Sequence, residues 1–128
     1  MKKIILVVED TPEEVASAKE VLTSDEVQVV IATTLHDALR MTKVFGQKLS
    51  GIITDLHIPE SEAKADASKP QGLAVVVEAI KAEIPTVICS DVNHHDADYL
   101  KIVTGHFSVP FIMDRKDWVG AFKQLSDI

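Results

Sequence analysis

The sequence predicts an α/β domain, a parallel sheet with helices packed on both faces. Two observations carry this. Short apolar runs alternate five times with segments of helical periodicity in 128 residues, and that order requires right-handed crossovers between parallel strands. The runs are also continuous rather than alternating, as in Ile4-Ile5-Leu6-Val7-Val8, the pattern of strands buried on both faces. The length fits a single domain spanning 1–128, with no linker, repeat or output domain, and such a chain buries enough surface to fold without disulfides or structural metal.

The first strand is expected at 4–8. Thr11-Pro12-Glu13-Glu14 then opens a helix to about residue 23, with Thr11 as cap, Pro12 at the first helical position and Glu14 placed for a capping box. Val15, Ala18, Val21 and Leu22 repeat at helical spacing. The second strand covers 27–32. Thr34 caps a helix over 35–44, with Ala38, Leu39, Met41 and Val44 inward and Gly46 as stop. The third strand covers 49–54 and runs straight into Asp55. Residues 59–71, PESEAKADASKPQ, read as an exposed loop with room for one helical turn. A helix over 73–83, a strand over 86–89 and a shorter helix over 96–104 follow. The fifth strand is expected at 107–113, where Pro110 demands an edge position or an irregularity. Asp114-Arg115-Lys116-Asp117 opens the last helix, with Trp118, Phe122 and Leu125 on one face.

Composition narrows the function. Asp and Glu number 20 against 13 Lys and Arg, a net charge of −7, which argues against nucleic-acid binding by phosphate neutralisation and against docking on anionic lipid. No apolar run approaches the ~20 residues that span a bilayer, and the apolar run after Met1-Lys2-Lys3 is too short for a signal peptide. A single cysteine, Cys89, fits a reducing, cytoplasmic setting, and on a buried strand it reads as a small core residue.

The acids collect in one place. In open α/β sheets the functional crevice lies beyond the carboxyl ends of the strands. Here the first strand ends at Glu9-Asp10, the third at Asp55, the fourth at Ser90-Asp91 and the fifth at Asp114. Carboxylates crowded together repel unless protons or a cation neutralise them. An oxygen-only donor set favours a hard divalent ion, Mg²⁺ first and then Mn²⁺ or Ca²⁺. Taken singly, each acid also reads as a loop solubiliser or a helix cap.

These residues give a resemblance. IILVVEDTPEEV with its acidic pair, GIITDLHIP with Asp ahead of Leu-X-X-Pro, Gly72 after the loop, and IPTVICS ending in Ser90 together resemble the receiver domain of bacterial two-component response regulators over nearly the whole chain. The resemblance implies a flavodoxin-like, doubly wound five-stranded sheet of order 2-1-3-4-5. It implies a signalling module rather than an enzyme, in which Asp55 accepts a phosphoryl group from a phosphohistidine on a histidine kinase or phosphotransfer protein. It assigns Mg²⁺ to Glu9, Asp10, Asp55 and the backbone carbonyl of His57. Ser90 matches the switch hydroxyl, and Phe111 or Phe107 the switch aromatic. It further implies a downstream protein partner, and a homodimer through the fourth helix, fifth strand and fifth helix.

The sequence departs from that family in three places. The family has a Lys at the end of the fifth strand; here one register puts Val109 in that place and the other Asp114. Lys116 reads better as a solvated helix-start residue, and Asp114 also reads as a helix cap. Asp91 follows Ser90 where the family keeps a small residue; a like charge at ~4 Å and an effective dielectric of ~20 costs on the order of 4 kcal/mol before screening, unless Asp91 points outward as a cap. Finally, Pro59 and Gly72 lie 13 apart, and the extra residues are either slack or a lid or partner contact. The departures support a second reading, a degenerate pseudo-receiver that binds a partner without being phosphorylated.

Two weaker signals are set aside. His94-His95-Asp96-X-Asp98 reads as the polar start of a helix, since adjacent side chains diverge. The Asp-Leu-His start is also similar to aspartate-nucleophile phosphatases of the haloacid dehalogenase type, but their second acid falls where His57 stands. A Mg²⁺-dependent hydrolase lacks a general base in the crevice.

Overall fold

The computed structural model describes residues 2–90, 102, 105–112 and 117–126. Its strands are β1 (Lys3–Val8), β2 (Val27–Ala32), β3 (Leu49–Thr54), β4 (Thr86–Cys89) and β5 (Phe111–Ile112). Its helices are α1 (Pro12–Leu22), α2 (Leu35–Phe45), α3 (Gly72–Lys81) and α4 (Trp118–Ser126), with a 3₁₀ turn over Gly46–Lys48. All strand pairs are parallel, and the sheet order is β2-β1-β3-β4-β5. The helix expected at 96–104 lies almost wholly outside the described residues. No helix among the described residues is long and apolar enough to cross a membrane.

The continuous apolar strands are explained by two cores. Ile5 and Val7 of β1, Ile53 of β3, and Val87 and Cys89 of β4 pack against α1 and α4 through Ala18, Leu22, Trp118, Ala121 and Leu125. Their neighbours in sequence, Leu6, Val8 and Ile52, point to the other face and meet α2 and α3 through Leu35, Ala38, Val75 and Ala79. A strand covered on both faces has no polar side to show. Gly51 lets α4 approach β3, since a Cβ there would lie 2.8 Å from Leu125 Cδ1.

The helix ends follow the sequence. Thr34 Oγ1 accepts from the Asp37 amide at 3.1 Å, and α2 stops at Gly46, whose φ of 54° favours glycine. Thr11 stands at the α1 N-cap position, with Pro12 following, but its side chain makes no capping bond.

Three expectations are corrected. Val44, placed inward by periodicity, is exposed at 71%; a helix on a sheet buries a narrow stripe, and Val44 lies outside it. The fifth strand does not begin at 107. Phe107 and Ser108 form a turn, with Ser108 at φ 59°, and strand pairing starts at Phe111, just past Pro110. Pro110 has no N–H to give the ladder, and its carbonyl accepts from the Ile88 amide. Phe107 is 58% exposed and borders an apolar groove with Val76, Val77 and Ile80. Residues 59–71 are not exposed throughout: Pro59 is buried, and no helical turn forms.

Candidate metal and phosphoacceptor site

Strand register brings the acids together. Val8 lies level with Thr54 across the β1–β3 ladder, so the next residues, Glu9 and Asp55, emerge side by side. The ladder continues past both strands: the Asp55 amide donates to Val8 O at 2.8 Å, and the Glu9 amide to Ala32 O at 3.0 Å. This is where the chain changes direction across the sheet, β1 lying between β2 and β3, and where open α/β sheets bind ligands.

One carboxylate oxygen from each of Glu9, Asp10 and Asp55 lies within 4.8 Å of the others. Glu9 is fully buried, Asp55 is 2% exposed, and Asp10 is half-buried. Glu9 is held by its own loop: Oε2 accepts the amides of Asp10 at 2.8 Å and Thr11 at 3.4 Å, close to the positive end of α1. Asp55 Oδ1 accepts the Leu56 amide at 2.7 Å, which fixes the rotation of the carboxylate. Three carboxyl groups this close, two of them out of water, fit a hard divalent cation taken up through oxygen alone.

Ser90 is 1% exposed and follows β4 on the same rim. Of the two positions weighed for the family's lysine, only Val109 is among the described residues. Ile88 pairs with Phe111 and Cys89 with Ile112. Val109 precedes the strand and is buried against Leu56, Val76 and Ile88, which removes it from the rim. The same register puts Phe111, and not Phe107, on the strand. Asp91, His94, His95, Asp114 and Lys116 lie outside the described residues. Asp117 caps α4, its Oδ1 accepting from the Gly120 amide at 2.9 Å. Cys89 is a core residue as expected; burial, with Asp55, Asp117, Glu9 and Glu14 adding negative charge, pushes its thiol up to about 12.

Two features of the site escaped sequence reasoning. Pro59 and Glu60 carbonyls accept the first α2 amides, of Leu35 at 2.8 Å and His36 at 3.0 Å, so the loop after Asp55 is pinned as it leaves the rim. At its other end the Gly72 amide donates to Leu56 O at 2.8 Å, and a Cβ on Gly72 would lie 2.0 Å from the Asp55 carbonyl oxygen. The signal available was a polar stretch ending in Gly ahead of an apolar helix, which marks a boundary but not a contact.

Known structures share this architecture. The chain matches the signal receiver domain of a putative Luxo repressor protein from Vibrio parahaemolyticus at 18% identity, covering 99% of this chain and 92% of that one, with a TM-score of 0.70. It matches the non-phosphorylated HemR receiver domain from Leptospira biflexa at 17%, covering 99% and 96%, with a TM-score of 0.73. This is the receiver-domain fold. A third receiver-fold match is the Mn²⁺-bound form of the response regulator Rcp1, at 22% identity over 98% of this chain and 91% of that one, with a TM-score of 0.67. No family model and no curated protein matches the sequence.

Proposed function

We propose that the chain is a phosphoryl-accepting signalling module of a two-component system, with Asp55 as the acceptor. The observation that carries this is the convergence of Glu9, Asp10 and Asp55 within 4.8 Å on the rim of a receiver-type sheet. An Asp55 carboxylate oxygen attacks the phosphorus of a phosphohistidine on a histidine kinase or phosphotransfer protein. The O–P bond forms as the N–P bond breaks, and the imidazole leaves and takes up a proton. Leu56 N–H holds the carboxylate for that approach. Glu9, Asp10, Asp55 and the backbone carbonyl of His57 would hold Mg²⁺, which when bound neutralises charge on the phosphoryl oxygens. In this reading Ser90 and Phe111 respond to the new phosphoryl group, and a cytoplasmic partner, or a second copy, reads the face around β5 and α4.

One observation favours a second reading, a phosphorylation-independent binding module. Val109 is buried ahead of β5, and the sequence after Ile112 continues Met113-Asp114 rather than with a lysine. Transfer then lacks one cation against the phosphoryl oxygens.

The two are separated by incubation with Mg²⁺ and phosphoramidate or acetyl phosphate, followed by intact mass spectrometry. The first reading expects a gain of about 80 Da, one phosphoryl group, that Asp55→Asn abolishes. Mg²⁺ binding without any gain selects the binding module.

A further inference from the structure

We infer that Gly72 is a positioning residue for the Asp55 carboxylate, so that the start of α3 sets the geometry of the acidic rim. The inference rests on Glu9, Asp10 and Asp55 forming a cation site. Gly72 is the first residue of α3 and lies 17 positions after Asp55 in sequence, yet its backbone presses on the Asp55–Leu56 peptide. A Cβ at 72 would lie 2.0 Å from Asp55 O, 2.9 Å from Leu56 Cα and 2.9 Å from Leu56 O. All three are backbone atoms, so no side-chain rotation relieves the overlap. The peptide that would have to move is the one whose Leu56 N–H fixes Asp55 Oδ1, and the carbonyl of the next peptide, Leu56 O, is tied to Gly72 by the Gly72 N–H. Displacing it swings the carboxylate away from Glu9 and Asp10.

The same contact gives the long loop a role. Its entry is fastened to α2 through the carbonyls of Pro59 and Glu60, and its exit to the rim through Gly72. Both ends are therefore fixed while the chain between them is mostly exposed, so the loop's length is absorbed without moving Asp55.

The test measures Mn²⁺ affinity by the paramagnetic resonance signal of the free ion, alongside thermal stability in chelator. Three proteins are compared: wild type, Gly72→Ala and Gly51→Ala. Gly51 is the control for general loosening, because the nearest atoms its Cβ would meet belong to the Leu125 side chain, and because it lies four residues before Asp55, away from the Asp55–Leu56 peptide. Both variants lower the melting temperature, but only Gly72→Ala weakens Mn²⁺ binding, by about tenfold or more, as expected when a group that orients a ligand is disturbed. Equal weakening by both variants, or wild-type affinity in Gly72→Ala, overturns the inference while leaving the cation site standing. A wild-type protein that takes up no Mn²⁺ overturns the cation reading and the inference together. Should Gly72→Ala fail to fold, hydrogen exchange on the wild-type protein decides. Saturating Mg²⁺ slows exchange of the Gly72 amide if the contact transmits to the rim, and unchanged exchange refutes it.

Discussion

The two halves of the carboxyl rim are built differently. On one side, β1 and β3 are six residues each and share five register pairs, from Ile4–Leu49 to Val8–Thr54. Their last residues lead directly into buried acids, each fastened by backbone amides. On the other side, the described residues of β4 and β5 share two register pairs, Ile88–Phe111 and Cys89–Ile112. The acidic triad is imposed by the centre of the sheet and would be hard to misplace. Ser90 follows β4, which pairs with both β3 and β5, whereas Phe111 sits on β5, an edge strand with a partner on one side only.

The largest expected effect tests that asymmetry as stability. Ile53 is fully buried in the β1–β3 half, and Ile53→Ala is expected to cost about 2–5 kcal/mol. Val109, just ahead of β5 and 7% exposed, loses only two carbons in Val109→Ala, about 1–2 kcal/mol. Urea unfolding of both variants checks the order; an equal or larger loss at Val109 would mean that the β5 edge carries as much of the fold as the centre.

The same asymmetry governs how much was legible in the sequence. β1 to β4 were readable within a residue because each is a long or doubly covered apolar run, and continuous Ile, Leu and Val have few alternatives. The meeting of Glu9, Asp10 and Asp55 was readable because it follows from strand ends alone. β5 was not, because Phe107-Ser108-Val109 is as strand-like in composition as Phe111-Ile112. What separates them is a left-handed Ser108 and a proline that blocks pairing upstream. Gly72 was readable as a boundary only, since the contact that demands glycine is made to a peptide 16 residues earlier.

Cys89 lies where the halves join, and its titration sharpens the comparison. Its thiol is raised from an ordinary 9.0 to about 12, first by burial and then by Asp55 and other acids. Below pH 9 the folded and unfolded chains both keep the proton, and the stabilising contribution is fully present. Between about 9 and 12 the unfolded chain releases it and the folded chain does not, so stability falls as pH rises, on the order of 1.4 kcal/mol per pH unit. Cys89→Ala is expected to flatten that fall in chemical denaturation run across the window. An unchanged slope would show that the thiol does not sense the interior.

The smallest effect asks whether the rim is held from outside as firmly as from within. The first three amides of α2, which have no partner inside the helix, go to Pro59 O, Glu60 O and Thr34 Oγ1. Two of the three are thus met by the chain leaving Asp55, and one by the cap. Thr34→Ala removes the cap alone, at about 1 kcal/mol, and leaves the Pro59 and Glu60 bonds in place. Stability should fall by that amount in urea while Mn²⁺ affinity stays at the wild-type value, because the peptide that aims Asp55 is untouched. If the cap variant weakens the ion as Gly72→Ala does, the rim answers to α2 as well as to α3, and the acidic half of the rim is held by both helices rather than by the strands and α3 alone.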